Sequence, residues 1–177
     1  MADVIVLLTG PPGTGKTTMA ALAVDQLDAT ILGWDWVMAS FTWCEPVVHA
    51  LDGLDQPTFR RVGWSVMENL ARAQLRLSRH VVLDGVARDD EVAAIRRLGD
   101  ETGTTVHVVV TECSDRELLR RRIEQRHRNI PGWHELDWGS VETFLERWEV
   151  PGDHDLRVDT ADPDEATVAF AGALSRW

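Results

Sequence analysis

The stretch Gly10-Pro-Pro-Gly-Thr-Gly-Lys-Thr-Thr18 constrains this chain more than any other. It follows Val4–Leu8, a continuous apolar run that reads as a buried strand. It precedes Lys16–Leu27, where apolar residues recur at helical spacing without proline or glycine. A glycine-rich turn between a strand and a helix points its N–H groups inward and adds a helix N-terminus, so it cradles a phosphate. The pattern Gly-x4-Gly-Lys-Thr is complete and sits in the context the motif requires. Gly10, Gly13, Thr14, Gly15, Lys16, Thr17 and Thr18 are therefore the candidate nucleotide-binding residues. Lys16 would meet the β- and γ-phosphates and Thr17 a Mg²⁺ ion, which makes ATP and Mg²⁺ the expected cofactors. Of the 18 basic residues, Lys16 is the only lysine, so a composition that elsewhere uses arginine has kept lysine in this loop.

Further strands are expected at Thr30–Leu32, His80–Leu83, Thr105–Val110 and Leu156–Val158. Helices are expected at Thr58–Leu77, Arg88–Glu101, from Ser114 with a Ser114–Glu117 capping box, Ser140–Trp148, and after Asp162-Pro163. Buried strands alternating with helices predict an α/β fold with a parallel sheet covered on both faces. With 177 residues and no linker, residues 1–177 read as one domain. The net charge of −11 gives no global attraction for nucleic acid or an anionic membrane. No apolar stretch approaches the ~20 residues of a membrane span. Cys44 and Cys113 stand outside any metal-binding spacing and read as thiols of a cytoplasmic protein.

Asp84, in VVLDG, follows a predicted strand and emerges at the sheet edge where ligands collect, so it joins Thr17 as a candidate Mg²⁺ residue. The length leaves no room for the helical lid domain of an AAA-type motor, and the absence of a second lysine rules out the Asn-Lys-x-Asp motif of GTPase switches. A small kinase remains.

GPPGTGKTT, the aspartate of ILGWDWV, VVLDG, CSDRELLRRRIEQR and VDTADPDEA stand in the order found in small P-loop kinases. Over nearly its whole length the chain resembles the group that contains polynucleotide kinase and chloramphenicol phosphotransferase. The resemblance implies a three-layer α/β/α fold, a five-stranded parallel sheet ordered 2-3-1-4-5, an arginine-bearing lid near residues 126–140, and γ-phosphate transfer to a hydroxyl. It implies that Asp35 is the catalytic base and that the loop at Thr160–Pro163 borders the adenine. An arginine common three residues after that aspartate is Met38 here, which speaks against a phosphorylated acceptor.

Arg122 and Arg126 have no acidic residue three or four positions away, whereas Glu117 and Glu124 can pair with Arg120, Arg121 or Arg128. Spaced by four, Arg122 and Arg126 would share a helical face and act on the transferring phosphoryl group. Trp34 and Trp36 flank Asp35, with Trp43 nearby, and Trp133 and Trp138 stand in NIPGWHELDWGS. Trp34, Asp35, Trp36, Trp133 and Trp138 are the candidate acceptor-binding residues; Glu135 and Asp137 could bind hydroxyls or an amine. His134 and His154 form no metal pattern. The expected function is an ATP-dependent kinase of a small, neutral or cationic organic molecule, as monomer or homodimer. The alternatives are a nucleoside, nucleotide or nucleic-acid end kinase, and a nucleotide-binding module without turnover.

Overall fold

A computed structural model describes residues 3–177. β1 (Val4–Thr9) is buried along all six residues, five of them apolar, as a central strand of a covered sheet must be. β2 (Thr30–Gly33), β3 (Val81–Asp84), β4 (Thr105–Glu112) and β5 (Leu156–Asp159) join it in one sheet of order β2-β3-β1-β4-β5, with every pairing parallel. The expected strand order is the observed one.

Helices cover both faces. α1 (Lys16–Leu27) and α8 (Pro163–Leu174) seal one core, with Met19, Ala20, Ala23 and Phe170 packed on Val6, Leu8 and Val109. α4 (Gln56–Leu75) and α5 (Asp89–Thr102) seal the other, with Trp64, Met67, Ile95 and Leu98 on Ile5, Leu7 and Leu83. Because all strands run the same way, their carboxyl ends share one rim. The register sets Leu8 and Gly33 each beside Asp84, and Glu112 beside Asp159.

The remaining helices differ most from the sequence expectation. α2 (Trp34–Phe41) starts directly from β2, and α3 (Glu45–Asp52) follows, in a stretch where no helix was expected. α3 buries none of its residues, so its sequence carries little of the apolar stripe that announces a helix. α6 (Arg116–Gln125) is capped by Asp115, whose carboxylate accepts from the Leu118 amide at 2.9 Å. The Ser114–Glu117 box does not form; the Ser114 amide donates instead to Asp159. α6 also ends before Arg126, which is extended. α7 (Trp138–Leu145) begins two residues before Ser140, with Asp137 as its cap. Asp137 is thus engaged by the Ser140 amide rather than offered to a ligand.

A glycine inside a helix is ordinarily a weak point, and Gly63 stands within α4. It is instead a contact: a Cβ there would lie 2.4 Å from Trp34 Nε1 and 2.8 Å from Met38 Sδ. Glycine-to-alanine changes inside helices ordinarily stabilise by about 1 kcal/mol. Gly63→Ala should invert that sign and cost about 1–3 kcal/mol through overpacking. Gly139→Ala in α7, whose Cβ meets only Asp137 Oδ1 at 3.5 Å, should be neutral or slightly stabilising. Urea unfolding of both variants checks the pair; a stabilised Gly63→Ala would refute the contact.

Candidate active site

The loop between β1 and α1 takes its shape from three glycines at positive φ: Gly10 at 143°, Gly13 at 82° and Gly15 at 81°. Gly10 also passes so close to β4 that a Cβ would sit 2.2 Å from the Thr111 carbonyl oxygen. The Thr14 hydroxyl donates to Pro11 O at 2.8 Å and lies 2.7 Å from the Thr111 hydroxyl. Of the expected loop residues, Gly10 and Thr14 frame the loop from behind, while Gly13, Gly15, Lys16, Thr17 and Thr18 line the cleft in front.

Lys16 folds over the loop and donates to the carbonyls of Gly10, at 2.8 Å, and Pro11, at 2.9 Å. Burial pulls its pKa from the ordinary 10.5 down to about 8, although Asp84 and Asp35 pull the other way. The Thr17 hydroxyl donates to Asp84 Oδ2 at 2.9 Å. Burial raises the Asp84 pKa even with Lys16 nearby, so this carboxylate lacks full charge compensation. Two hard oxygens side by side beneath a phosphate cradle suit Mg²⁺, which takes one or two protein ligands and fills its sphere with phosphate and water. Among the described residues no three His, Cys, Asp or Glu side chains form a metal-binding group.

The opposite bank is built from α2, α4 and the segment joining α6 to α7. Asp35 stands in the first turn of α2. Its Oδ2 accepts from Arg128, a residue whose spacing would also allow a pair with Glu124. Arg128 engages each of its three guanidinium nitrogens: on Asp35, on Glu135 Oε2 at 3.2 Å and on the His134 carbonyl at 2.5 Å. Glu135 also accepts from the Arg128 amide at 2.8 Å. It therefore serves the fold of its own segment, not an acceptor. No sequence spacing announces these contacts, since they form after the helix has ended.

The two expected lid arginines separate. Arg126 is the C-cap of α6, its amide still donating to the Arg122 carbonyl at 3.1 Å, and both side chains line the cleft, but their partners differ. Arg122 donates to the Thr160 hydroxyl at 2.9 Å and the Thr160 carbonyl at 2.7 Å, which docks α6 onto the end of β5. Arg126 keeps a buried Nε without a partner among the described residues, and burial followed by repulsion from Arg128 lowers its pKa. Arg120 pairs with Glu124, and Arg116 with Glu142.

Trp34 meets Phe59 and Trp133 edge-on, with centroids 5.8 Å and 5.9 Å apart. Trp36 lines the mouth of the cleft with most of its surface exposed. Trp138 is outside the cleft beneath Arg116, and Trp43 is 78% exposed. Met38 is buried under Gly63. The cleft encloses about 1260 Å³, more than the ~300–1,000 Å³ of a typical single-ligand site. Residues missed by sequence reasoning, Phe59, Arg60, Arg88 and Arg128, complete its walls.

The sequence pattern of an AAA domain family, AAA_33, matches residues 5–151, most of the chain and all of the cleft except its β5 side. The chain belongs to that family. Its fold is shared with a gluconokinase from Sinorhizobium meliloti (TM-score 0.70, 18% identity, 98% of this chain and 93% of that one). It is shared also with a sugar kinase from Janibacter (TM-score 0.67, 16% identity, 98% and 95%). The APS kinase of Mycobacterium tuberculosis, solved with AMPPNP and APS, superposes with a TM-score of 0.63 at 16% identity over 99% of both chains. A curated relative, type II secretion system protein E of Klebsiella pneumoniae, is 36% identical over 103 residues, 58% of this chain. The chain spans 19% of that relative's length. No helix among the described residues is long and apolar enough to cross a membrane.

The lowered Lys16 pKa has a measurable sign. Between about 8 and 10.5 the unfolded chain holds this proton more tightly than the folded one, so stability from this group grows as pH rises through that window. A bound triphosphate would favour the charged lysine and pull a proton in. Calorimetric titration of ATP with Mg²⁺ at pH 8, in buffers of different ionisation enthalpy, should register an uptake of up to about half a proton. Lys16→Met should lose it. Equal heats in all buffers would mean that Lys16 does not meet the phosphates.

Proposed function

We propose that this protein is an ATP- and Mg²⁺-dependent kinase that transfers the γ-phosphate to a hydroxyl of a small organic molecule. One observation carries the reading. The Lys16–Thr17–Asp84 cluster and the Asp35 carboxylate line the same cleft from opposite banks. A site that only held nucleotide would need the first bank alone. The kinases among the fold neighbours agree with it, as does a chain without the wide basic field that a nucleic-acid substrate favours. Unpaired Cys44 and Cys113 suit the reducing cytoplasm.

In this reading the nucleotide lies along the loop, with its base toward Thr160, Pro163 and Thr167. Thr17 and Asp84 would hold Mg²⁺, which would supply charge neutralisation for the phosphates. Lys16 leaves the Gly10 and Pro11 carbonyls for the phosphate. Asp35 orients the acceptor hydroxyl: Oδ2 is fixed by Arg128, and Oδ1, which has no partner among the described residues, accepts the proton. The oxygen attacks the γ-phosphorus, the bond to the β-phosphate oxygen breaks, and ADP leaves. Arg126, with its unpartnered buried nitrogen, gains a partner as charge spreads over the transferring group. Residues 126–140 act as the lid.

A panel of hydroxyl compounds assayed for ADP release tests the reading. With an accepted substrate, Asp35→Asn should lower kcat by ~10²–10⁴-fold and leave ATP affinity nearly unchanged. A loss below about fivefold would make Asp35 a bystander, given what a positioned base contributes.

The two arginines should now behave differently. Arg126→Ala should reduce kcat more than it raises the KM for ATP, as expected of a transition-state contact. Arg122→Ala frees the Thr160 loop and should act mainly on the KM for ATP. Matching effects from both variants would contradict this division of labour.

A further inference from the structure

The acceptor bank carries positive charge that the phosphoryl chemistry does not use. Lys16, Arg122 and Arg126 serve the nucleotide side, and Arg128 is spent on Asp35 and Glu135. Arg60 and Arg88 remain. Arg60 follows Phe59 on α4, and its backbone carbonyl is 3.4 Å from Trp34 Nε1, so it belongs to the aromatic wall beside Asp35.

The support behind Arg60 is unusual. Glu91 is only 4% exposed, and both of its oxygens are engaged. Oε1 accepts from Arg60 Nε at 3.3 Å, and Oε2 accepts from the Arg88 amide at 2.8 Å. Burying a carboxylate is costly unless it is paired, and this pair gains no second hydrogen bond from Arg60. A purely structural arginine–glutamate pair would favour the two-pronged form, as Arg61 and Glu68 adopt on the surface. Held through Nε alone, Arg60 keeps both terminal nitrogens without a partner among the described residues, in the wall of the cleft. Two parallel N–H donors match the two oxygens of a carboxylate or phosphate. Arg88, exposed and lining the same cleft, adds a second positive charge.

We infer that Arg60, aimed by Glu91 and assisted by Arg88, binds an anionic group on the acceptor, a carboxylate or a phosphate monoester, while Trp34, Phe59 and Trp133 face the acceptor's flat or apolar part. This rests on the kinase reading for calling the ligand an acceptor. It replaces the neutral or cationic acceptor that the tryptophans and Met38 suggested. Arg60 is a specificity residue and Glu91 a positioning residue.

The test reads binding rather than turnover. Protein loaded with AMPPNP and Mg²⁺, so that the phosphate loop is filled, is titrated by ligand-observed NMR with glucuronate, glucose 6-phosphate, glucose and glucosamine. Benzoate and benzamide form a second series on a flat ring. In at least one series an anion should bind about tenfold or more tightly than its neutral counterpart, the effect of one charge-assisted pair. Glucuronate ahead of glucose 6-phosphate assigns a carboxylate; the reverse assigns a phosphate. Removing Arg60 alone would strand the buried Glu91, so the variant is Arg60→Met with Glu91→Met. It should fold and lose the anion preference, Arg88→Ala should weaken it, and Arg72→Gln, also on α4 but paired with Glu101 at the surface, should retain it. No anion preference in either series, or one that survives the double change, would overturn the inference. Turnover of neutral acceptors alone would do the same and leave the kinase reading standing. An Arg60-dependent anion preference without any transfer would keep this site and sink that reading.

Discussion

The molecule depends on how closely its glycine loop is pressed against the neighbouring strand. Gly10 packs where a side chain would collide with the Thr111 carbonyl, and buried threonine hydroxyls hold that approach. Thr111 Oγ1 is 2.7 Å from the Thr14 hydroxyl and 3.3 Å from the Thr9 carbonyl. The Thr160 hydroxyl is 3.2 Å from the Thr14 carbonyl and accepts from Arg122. On the other side, Thr9 exchanges two hydrogen bonds with Ala87, at 2.9 and 2.8 Å. Hydroxyls at the ends of β1, β4 and just past β5 thus tie the loop to three strands. In a dry environment such a network is stiff when every member is satisfied. The loop's N–H groups hold their direction because their support cannot shift independently.

Charge is distributed with the same economy. A chain of net charge −11 concentrates six cationic side chains in one cleft against two carboxylates, Asp35 and Asp84. Acidic residues elsewhere keep arginines such as Arg61, Arg72, Arg96 and Arg157 paired on the surface. The positive potential is therefore local and enclosed, where water screens it least. Burial already strains two members, lowering the pKa of Lys16 and raising that of Asp84. An anionic substrate with a divalent cation would relieve both at once.

The sheet was legible in the sequence because its strands are short apolar runs between loops and its helices bear periodic stripes. The glycine loop was legible because its chemistry needs particular residues at particular spacings. Asp35 and Asp84 were visible for a related reason: each stands at the carboxyl end of a strand, and parallel strands bring those ends to one rim. Where the sequence reading failed, it assumed continuity. α6 ends a residue before Arg126, and Asp115 rather than Ser114 caps its start. Local spacing cannot tell which of two adjacent cap residues will be drawn away by Asp159, a strand end 45 positions on.

What the sequence alone determined is local and covalent in origin. It set the glycine loop, the strand and helix periods and the single lysine, because these depend on residues a few positions apart. What only the tertiary structure decided is pairing across long gaps. Arg128 meets Asp35 over 93 positions, Arg122 meets Thr160 over 38, and Glu91 meets Arg60 over 31. The reason is physical. An arginine can satisfy its guanidinium with any carboxylate or carbonyl within reach, and with 17 arginines and 29 acids in the chain, composition allows nearly every pairing. Backbone packing, which fixes the ends of α6 and the seat of α4 on Trp34, selects the few that occur.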